Sequence, residues 1–285
     1  MNREIKKILD RLNEKRGFDF SGYRYAMLER RIGKRLTETR CDNYAEYTDY
    51  LKSDPHELDH LLDALTINVS RFFRDTLTFE FISNQVLTAI ISGKIETNDH
   101  SLRVWSAGCS TGEEPYGIAI LLNELLEKED STIKLHIFAT DIDEGAIEKA
   151  RQALYPPESI KNVTYGILKK YFVTDGESFR LISSVKEAVT FSIYDMMDKG
   201  TYAPPESIFG HFDMVLCRNL LIYFQVEYQD IIFDKLYRSL AKDGYLVLGE
   251  AEIPTIKFKK YFRKVNECCH ISPIPEKFYS KRSNN

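Results

Sequence analysis

Three stretches carry side chains whose types and spacing could do chemistry. In Trp105-Ser-Ala-Gly-Cys-Ser-Thr-Gly-Glu-Glu-Pro-Tyr116, Gly108 and Gly112 bracket a turn between an apolar run and an apolar-periodic one. Glycines there let a ligand approach backbone with no Cβ in the way, and the following helix turns its N-terminal N–H groups toward it. In Ala139-Thr-Asp-Ile-Asp143, Asp141 ends a second apolar run. A carboxylate at that strand end can accept both hydroxyls of a ribose, while Asp143 is better placed to cap the next helix. In the third stretch, Arg218-Asn219 follows the run 212–217, at the strand end where open α/β sheets place ligands. Arg74 adds a guanidinium able to fork onto a carboxylate. Glu114 has two readings: it lies in the first turn past the glycines, and Thr111-x-x-Glu114 also fits a capping box.

These residues need a scaffold, and hydrophobic periodicity supplies one. Residues 1–75 read as helical: Ile5, Ile8, Leu9 and Leu12 form one stripe, and Tyr25, Leu28, Ile32 and Leu36 a second. A third helix begins at Asn43, and a fourth follows Ser53-Asp54-Pro55 with Leu58, Leu61, Leu62 and Leu65 inward. Another starts at Asp75-Thr76 and runs through Ile90. From residue 76 to 285 the pattern becomes α/β: strand 102–107, helix 113–127, strand 134–140, a helix through Ala146 and Ala150, then strands near 189–193 and 212–217. Such alternation predicts a parallel, Rossmann-like sheet. Residues 163–190 read as an inserted β-subdomain with a hairpin near Tyr171–Thr174 and Phe179–Ser183. A helix over 226–240 is expected to stop at Asp243-Gly244, and 258–264, 267–271 and 277–280 to close the sheet as antiparallel strands.

With 285 residues, 43% hydrophobic and 29% charged, the chain has the make-up of an ordinary soluble globular protein. Five scattered cysteines without a CxxC read as reduced thiols, and no signal peptide or membrane-length apolar run is seen, so a cytoplasmic protein without membrane insertion is expected. The net charge of -4 is uneven. Residues 1–40 hold 12 basic against 6 acidic residues, and 41–75 hold 3 against 8. Arg24, Arg30, Arg31, Lys34 and Arg35 fall on the side of the second helix away from its apolar stripe. Such a face is a solvated surface or steers an acidic partner; the acidic whole argues against nucleic acid.

Four motifs, in order and spacing, resemble one known family, the CheR-type chemotaxis-receptor glutamate methyltransferases: Thr66-Ile-Asn-Val-Ser-Arg-Phe-Phe-Arg74, Trp105–Tyr116, Ala139–Asp143 and Cys217-Arg-Asn-Leu-Leu-Ile-Tyr-Phe224. The resemblance implies an S-adenosylmethionine-dependent methyltransferase domain of Rossmann type with an inserted β-subdomain, preceded by an all-helical domain that docks on receptors. It implies that Asn68, Ser70, Arg74 and Glu114 reach the methionine part of the cofactor, that Asp195 and Met196 contact adenine, and that Arg218, Asn219 and Tyr223 border the methyl group and the acceptor carboxylate. The Asp at 195 departs from the Asn the family often carries. Arg74, Arg218 and Tyr223 are the expected catalytic residues, with no acid–base pair, because a glutamate is already ionised at neutral pH. Glutamate methyl ester and S-adenosylhomocysteine would be the products, and the basic helix would meet the receptor's helical methylation region. Between Phe172 and Phe179 the turn is short, with one glycine, which implies a form that works without a tethering peptide at the receptor C-terminus.

Rival readings exist. A glycine turn with a strand-end acid also serves nicotinamide dehydrogenases, but the spacing here is not GxGxxG. A cofactor-binding sensor without catalysis would keep the same fold. His56-Glu-Leu-Asp-His60 matches HExxH, yet it has an acid inside it and no third ligand nearby, so no metal site is expected.

Overall fold

The computed structural model describes residues 2–66, 70–198, 200–208, 210–265 and 277–281. Contacts divide the chain into two compact units, Met1–Asn68 with Tyr223–Tyr228, and Val69–Ile222 with Gln229–Asn285.

The smaller unit is helical: α1 (Arg3–Arg16), α2 (Tyr25–Thr39), α3 (Tyr44–Ser53) and α4 (Pro55–Thr66). The apolar stripes pool into one core of Ile5, Ile8, Leu12, Leu28, Ile32, Leu51, Leu58 and Leu61, among others. Asn2 and Asn43 cap α1 and α3 through their side chains, as expected for these residues at helix starts. The basic face of α2 is less open than its sequence suggests. Arg24 Nε donates to the Phe224 carbonyl at 3.0 Å and Arg31 Nη1 to the Ala64 carbonyl at 2.7 Å. Arg35 forks onto the buried Glu57 at 2.9 and 2.6 Å, and Tyr47 donates to the same carboxylate at 2.6 Å. Arg30 and Lys34 remain solvent-exposed. The HExxH pattern resolves in the same contacts: its glutamate points into the core while His56 and His60 are exposed.

The larger unit begins with α5 (Thr76–Phe81), a π-helical turn over Ile82–Leu87, and α6 (Thr88–Glu96). Then follow β1 (Ser101–Ala107), α7 (Glu113–Lys128), β2 (Lys134–Asp141) and α8 (Glu144–Gln152). Next come β3 (Leu154–Tyr155), α9 (Tyr165–Tyr171), β4 (Phe172–Asp175), β5 (Ser178–Leu181), α10 (Ser183–Lys186) and β6 (Val189–Ile193). The chain continues through β7 (Phe212–Cys217), α11 (Val226–Ser239), β8 (Leu240–Leu248), α12 (Ile256–Lys259), β9 (Phe262–Lys264) and β10 (Lys277–Lys281). Seven strands form one sheet in the order β6-β2-β1-β7-β8-β10-β9. The first five are parallel, and β10 runs antiparallel to both its neighbours. β3, β5 and β4 form a separate antiparallel sheet. The expected hairpin is therefore present, with a third strand, Leu154–Tyr155, upstream of it.

Central β1 explains why the glycine turn sits where it does. Val104 through Ala107 are buried, and Trp105 is fully enclosed between Tyr194 and Phe212. Its indole N–H donates to Thr140 Oγ1 at 2.9 Å, so the ring is buried without an orphan donor. α7 packs on β1, β2 and β6. Two expectations near the C-terminus are corrected. Asp243-Gly244 does not end a helix; α11 stops at Ser239, and Asp243 (φ 61°) bends β8. A Cβ on Gly244 would lie 2.8 Å from the Phe212 carbonyl, so the glycine serves close strand approach where the β7–β8 register shifts. Phe258 lies on the short α12, not on a strand, and residues 267–271 fall outside the described residues.

Candidate functional site

The site is built at the C-terminal ends of β1, β2, β6 and β7. At the exit of β1, Gly108 and Cys109 both donate their N–H to the Thr140 carbonyl, at 2.8 and 2.9 Å, which fastens the turn to β2. Gly112 precedes α7 at φ 90°, and a Cβ there would lie 2.9 Å from Ala150 Cβ and 3.1 Å from the Tyr155 hydroxyl. Only glycine fits both the conformation and the space. Between them Ser110 (φ 51°) presents a buried hydroxyl that has no hydrogen-bond partner among the described residues. Cys109 on this turn and Cys217 at the end of β7 are both buried, and burial pushes both thiols well up from their ordinary range.

Asp141 closes the opposite side of the turn. Its Oδ2 accepts the Ser110 N–H at 2.8 Å and its Oδ1 the Asp143 N–H at 3.0 Å. Each oxygen has a further lone pair to offer. Burial raises this carboxyl, and the backbone donors oppose the rise. Asp143 caps α8, accepting the Ala146 N–H at 3.0 Å, the capping role expected of it. The Asp141 carbonyl accepts the Tyr194 N–H at 2.9 Å, which brings the segment after β6 alongside; there Asp195 accepts the Met197 N–H at 2.7 Å and Met196 is buried.

On the β7 side, Arg218 is a buried guanidinium with its side chain only 2% exposed. Nη1 donates to Glu114 Oε2 at 2.9 Å. Nη2 donates to Asp75 Oδ2 at 3.0 Å and to the Arg74 carbonyl at 3.4 Å, and the group lies over the Phe79 ring. Glu114 Oε1 accepts the Ser106 hydroxyl at 2.7 Å. The capping-box reading of Glu114 is thus corrected: the Thr111 hydroxyl goes to Glu113 at 2.7 Å, and Glu114 is drawn to Ser106 and Arg218. Arg74 is half-exposed, its Nε 3.8 Å from Asp75. Ser70 lies by Glu113, whose buried carboxyl is raised by burial against the pull of the Thr111, Ser159 and Ser70 hydroxyls. Asn219 takes φ 57°, and its N–H donates to Glu252 Oε2 at 2.9 Å.

Of the expected site residues, Ser70, Arg74, Glu114, Asp141, Asp195, Met196, Arg218 and Asn219 all belong to the larger unit. Tyr223 counts with the helical unit, where its carbonyl accepts the Arg24 N–H at 2.8 Å. Asn68 lies outside the described residues. Two residues at the site escaped the sequence reading. Asp75 stands at the start of α5, as the sequence predicts, but its side chain makes no cap bond and reaches Arg218 instead. Glu252 is buried and accepts three backbone N–H groups, from Asn219, Gly249 (2.8 Å) and Ile222 (3.3 Å). Its only advance signal was an acid just beyond the last parallel strand.

A glycine turn, a carboxylate at the next strand end and an antiparallel strand closing a parallel sheet define a Rossmann-like methyltransferase domain. Comparison with known proteins makes this specific. Residues 3–66 match the CheR methyltransferase all-alpha domain and residues 68–270 the CheR methyltransferase SAM binding domain. A chemotaxis protein methyltransferase of Borreliella burgdorferi is 30% identical over 252 residues, covering 87% of each chain. Chemotaxis protein methyltransferase 2 of Vibrio cholerae is 32% identical, covering 90% of this chain and 88% of its own. The Escherichia coli chemotaxis protein methyltransferase is 29% identical over 87% of this chain and 83% of its own. The chain belongs to the CheR methyltransferase family, and its cofactor is S-adenosylmethionine.

Proposed function

We propose that the chain methylates glutamate side chains of chemotaxis receptors, producing glutamate methyl esters and S-adenosylhomocysteine. One observation carries the choice of a carboxylate acceptor: a buried arginine, Arg218, stands next to the cofactor turn. The cofactor's groups suit the residues present. Asp141 has lone pairs left for the ribose hydroxyls, Ser110 has a buried hydroxyl in need of a partner, and Glu114 offers a carboxylate for the ammonium. Asp195 and Met196 would border the adenine, Ser70 and Arg74 the methionine end, to which the resemblance also assigns Asn68, and Asn219 the methyl group.

S-adenosylmethionine supplies a methyl group already activated on a sulfonium. An acceptor glutamate, ionised at neutral pH, needs no base. Transfer of that methyl to a carboxylate oxygen, with loss of the carbon–sulfur bond, would give a neutral ester and a neutral thioether with no proton to move. The protein's part is alignment and exclusion of water. Arg218 and Arg74 would position the acceptor carboxylate, and too tight a pairing would blunt it. Tyr223 is assigned to the same task by resemblance alone. The exposed charge of Arg30 and Lys34 favours approach of an acidic helical surface, with Arg24 adding its charge although its Nε is bonded to the Phe224 carbonyl, whereas Arg31 and Arg35 are more deeply engaged in the fold. The β4–β5 turn at Gly176 is short, so docking is read as independent of a tethering peptide.

Calorimetry with S-adenosylhomocysteine, NAD and zinc, on wild type and Asp141→Ala, tests the cofactor. Binding of the adenosyl ligand alone, weakened by the substitution, is expected. Radiolabelled methyl transfer to receptor-containing membranes, with release by alkali, tests the ester; Arg218→Ala and Tyr223→Phe should both reduce it. A wild type that binds the cofactor but labels no receptor would refute the assignment and leave a sensor.

A further inference from the structure

Arg218 is held by two carboxylates, Glu114 at 2.9 Å and Asp75 at 3.0 Å. Glu114 begins the helix after the cofactor turn, whereas Asp75 comes from the connector ahead of α5. Asp75 adopts φ 59°, a left-handed conformation that disfavours most side chains, and forgoes the cap bond its position invites. Local preference has thus been given up for the ion pair. Arg218 with its two anions carries a formal charge of -1, and Arg74, its Nε 3.8 Å from Asp75, brings the four groups to zero. Without Asp75 the count of the remaining three is +1, and an arriving carboxylate would meet an arginine balanced by one acid instead of two.

We propose that Asp75 is a positioning residue that sets how strongly Arg218 holds the acceptor carboxylate; this rests on the receptor-glutamate reading above. Asp75 weakens that grip. The acceptor oxygens stay less stabilised before reaction, so the nucleophile keeps its reactivity. An arginine that bound the ground state harder would lower KM and kcat together, because the pairing is lost as the carboxylate becomes a neutral ester. A merely structural Asp75 would give the reverse for KM, since a misplaced Arg218 binds the acceptor worse.

The test is steady-state methyl transfer by the full chain to receptor-containing membranes, with S-adenosylhomocysteine titrated in parallel as a check on the cofactor site. Asp75→Asn and Asp75→Gly both remove the charge and both tolerate the left-handed backbone; Asp75→Glu keeps the charge. The expected result is a KM for receptor at least threefold lower and a kcat at least tenfold lower in Asn and Gly, with KM restored toward wild type in Glu. A KM that is unchanged or raised in both neutral variants overturns the proposal, as does loss of S-adenosylhomocysteine binding in both, which would make Asp75 part of the cofactor's support. A wild type that places no alkali-labile methyl on receptor overturns the function reading and this one with it; the outcomes above overturn this one alone.

Discussion

Glu252→Gln probes how the Arg218 segment is held. The carboxylate accepts Asn219 N–H and Gly249 N–H on Oε2, at 2.9 and 2.8 Å, and Ile222 N–H on Oε1 at 3.3 Å. A glutamine with its carbonyl in the Oε2 place keeps the first two bonds. Its NH2 then faces the Ile222 N–H, donor against donor. One bond to a charged acceptor is lost, about 1.5–3 kcal/mol, offset in part because a buried charge no longer has to be desolvated. The net is roughly 1.5 kcal/mol, or about 3–6 °C in the Tm of a unit this size. Glu252→Ala orphans all three donors, and roughly 3–5 kcal/mol is expected. Burial raises the folded-state Glu252 carboxyl. Its contribution to stability is therefore full below the unfolded value of about 4.3 and is lost as pH rises through the raised folded value. The gap between wild type and Glu252→Gln should narrow over that interval. Thermal unfolding at several pH values, with kcat measured beside it, is the assay. If both variants unfold within about 0.5 kcal/mol of wild type, the three-bond anchor is not what fixes this loop.

Asp141→Asn removes the anion proposed to meet the ribose, and S-adenosylhomocysteine affinity should fall on the order of 100-fold by calorimetry. Because burial raises Asp141, wild-type affinity should drop with falling pH sooner than for an ordinary aspartate, while the Asn variant stays flat over the same range. Gly112→Ala puts a Cβ 2.9 Å from Ala150 Cβ at φ 90°; a loss of about 2–4 kcal/mol, read by denaturant midpoint, is expected. Glu57→Ala leaves Arg35 and Tyr47 without their shared acceptor. The helical unit should lose about 3–5 kcal/mol, and added zinc should not restore it.

The cofactor turn and Asp141 could be read from sequence because a strand–glycine–helix junction is local: its residues and its geometry lie within a few positions of one another. Asp143 as a cap followed from the same locality. Asp75 and Glu252 could not be read, since each acts on a partner far along the chain: the β7–β8 pairing brings Glu252 to Asn219, and the fold brings the segment ahead of α5 to Arg218. Arg35 looked like a surface charge because periodicity cannot see that Glu57 of another helix waits beneath it. Asp243-Gly244 has the composition of a helix stop; that it bends a strand depends on the close approach of Phe212.

An activated methyl donor is a hazard to the protein that binds it, for a thiolate is a better nucleophile than any carboxylate. Cys109 lies on the turn after β1 and Cys217 ends β7, and the fold buries both and holds them as thiols. Two thiols beside the glycine turn and the end of β7 are thereby kept from the reactive thiolate form, which guards the protein against methylating itself.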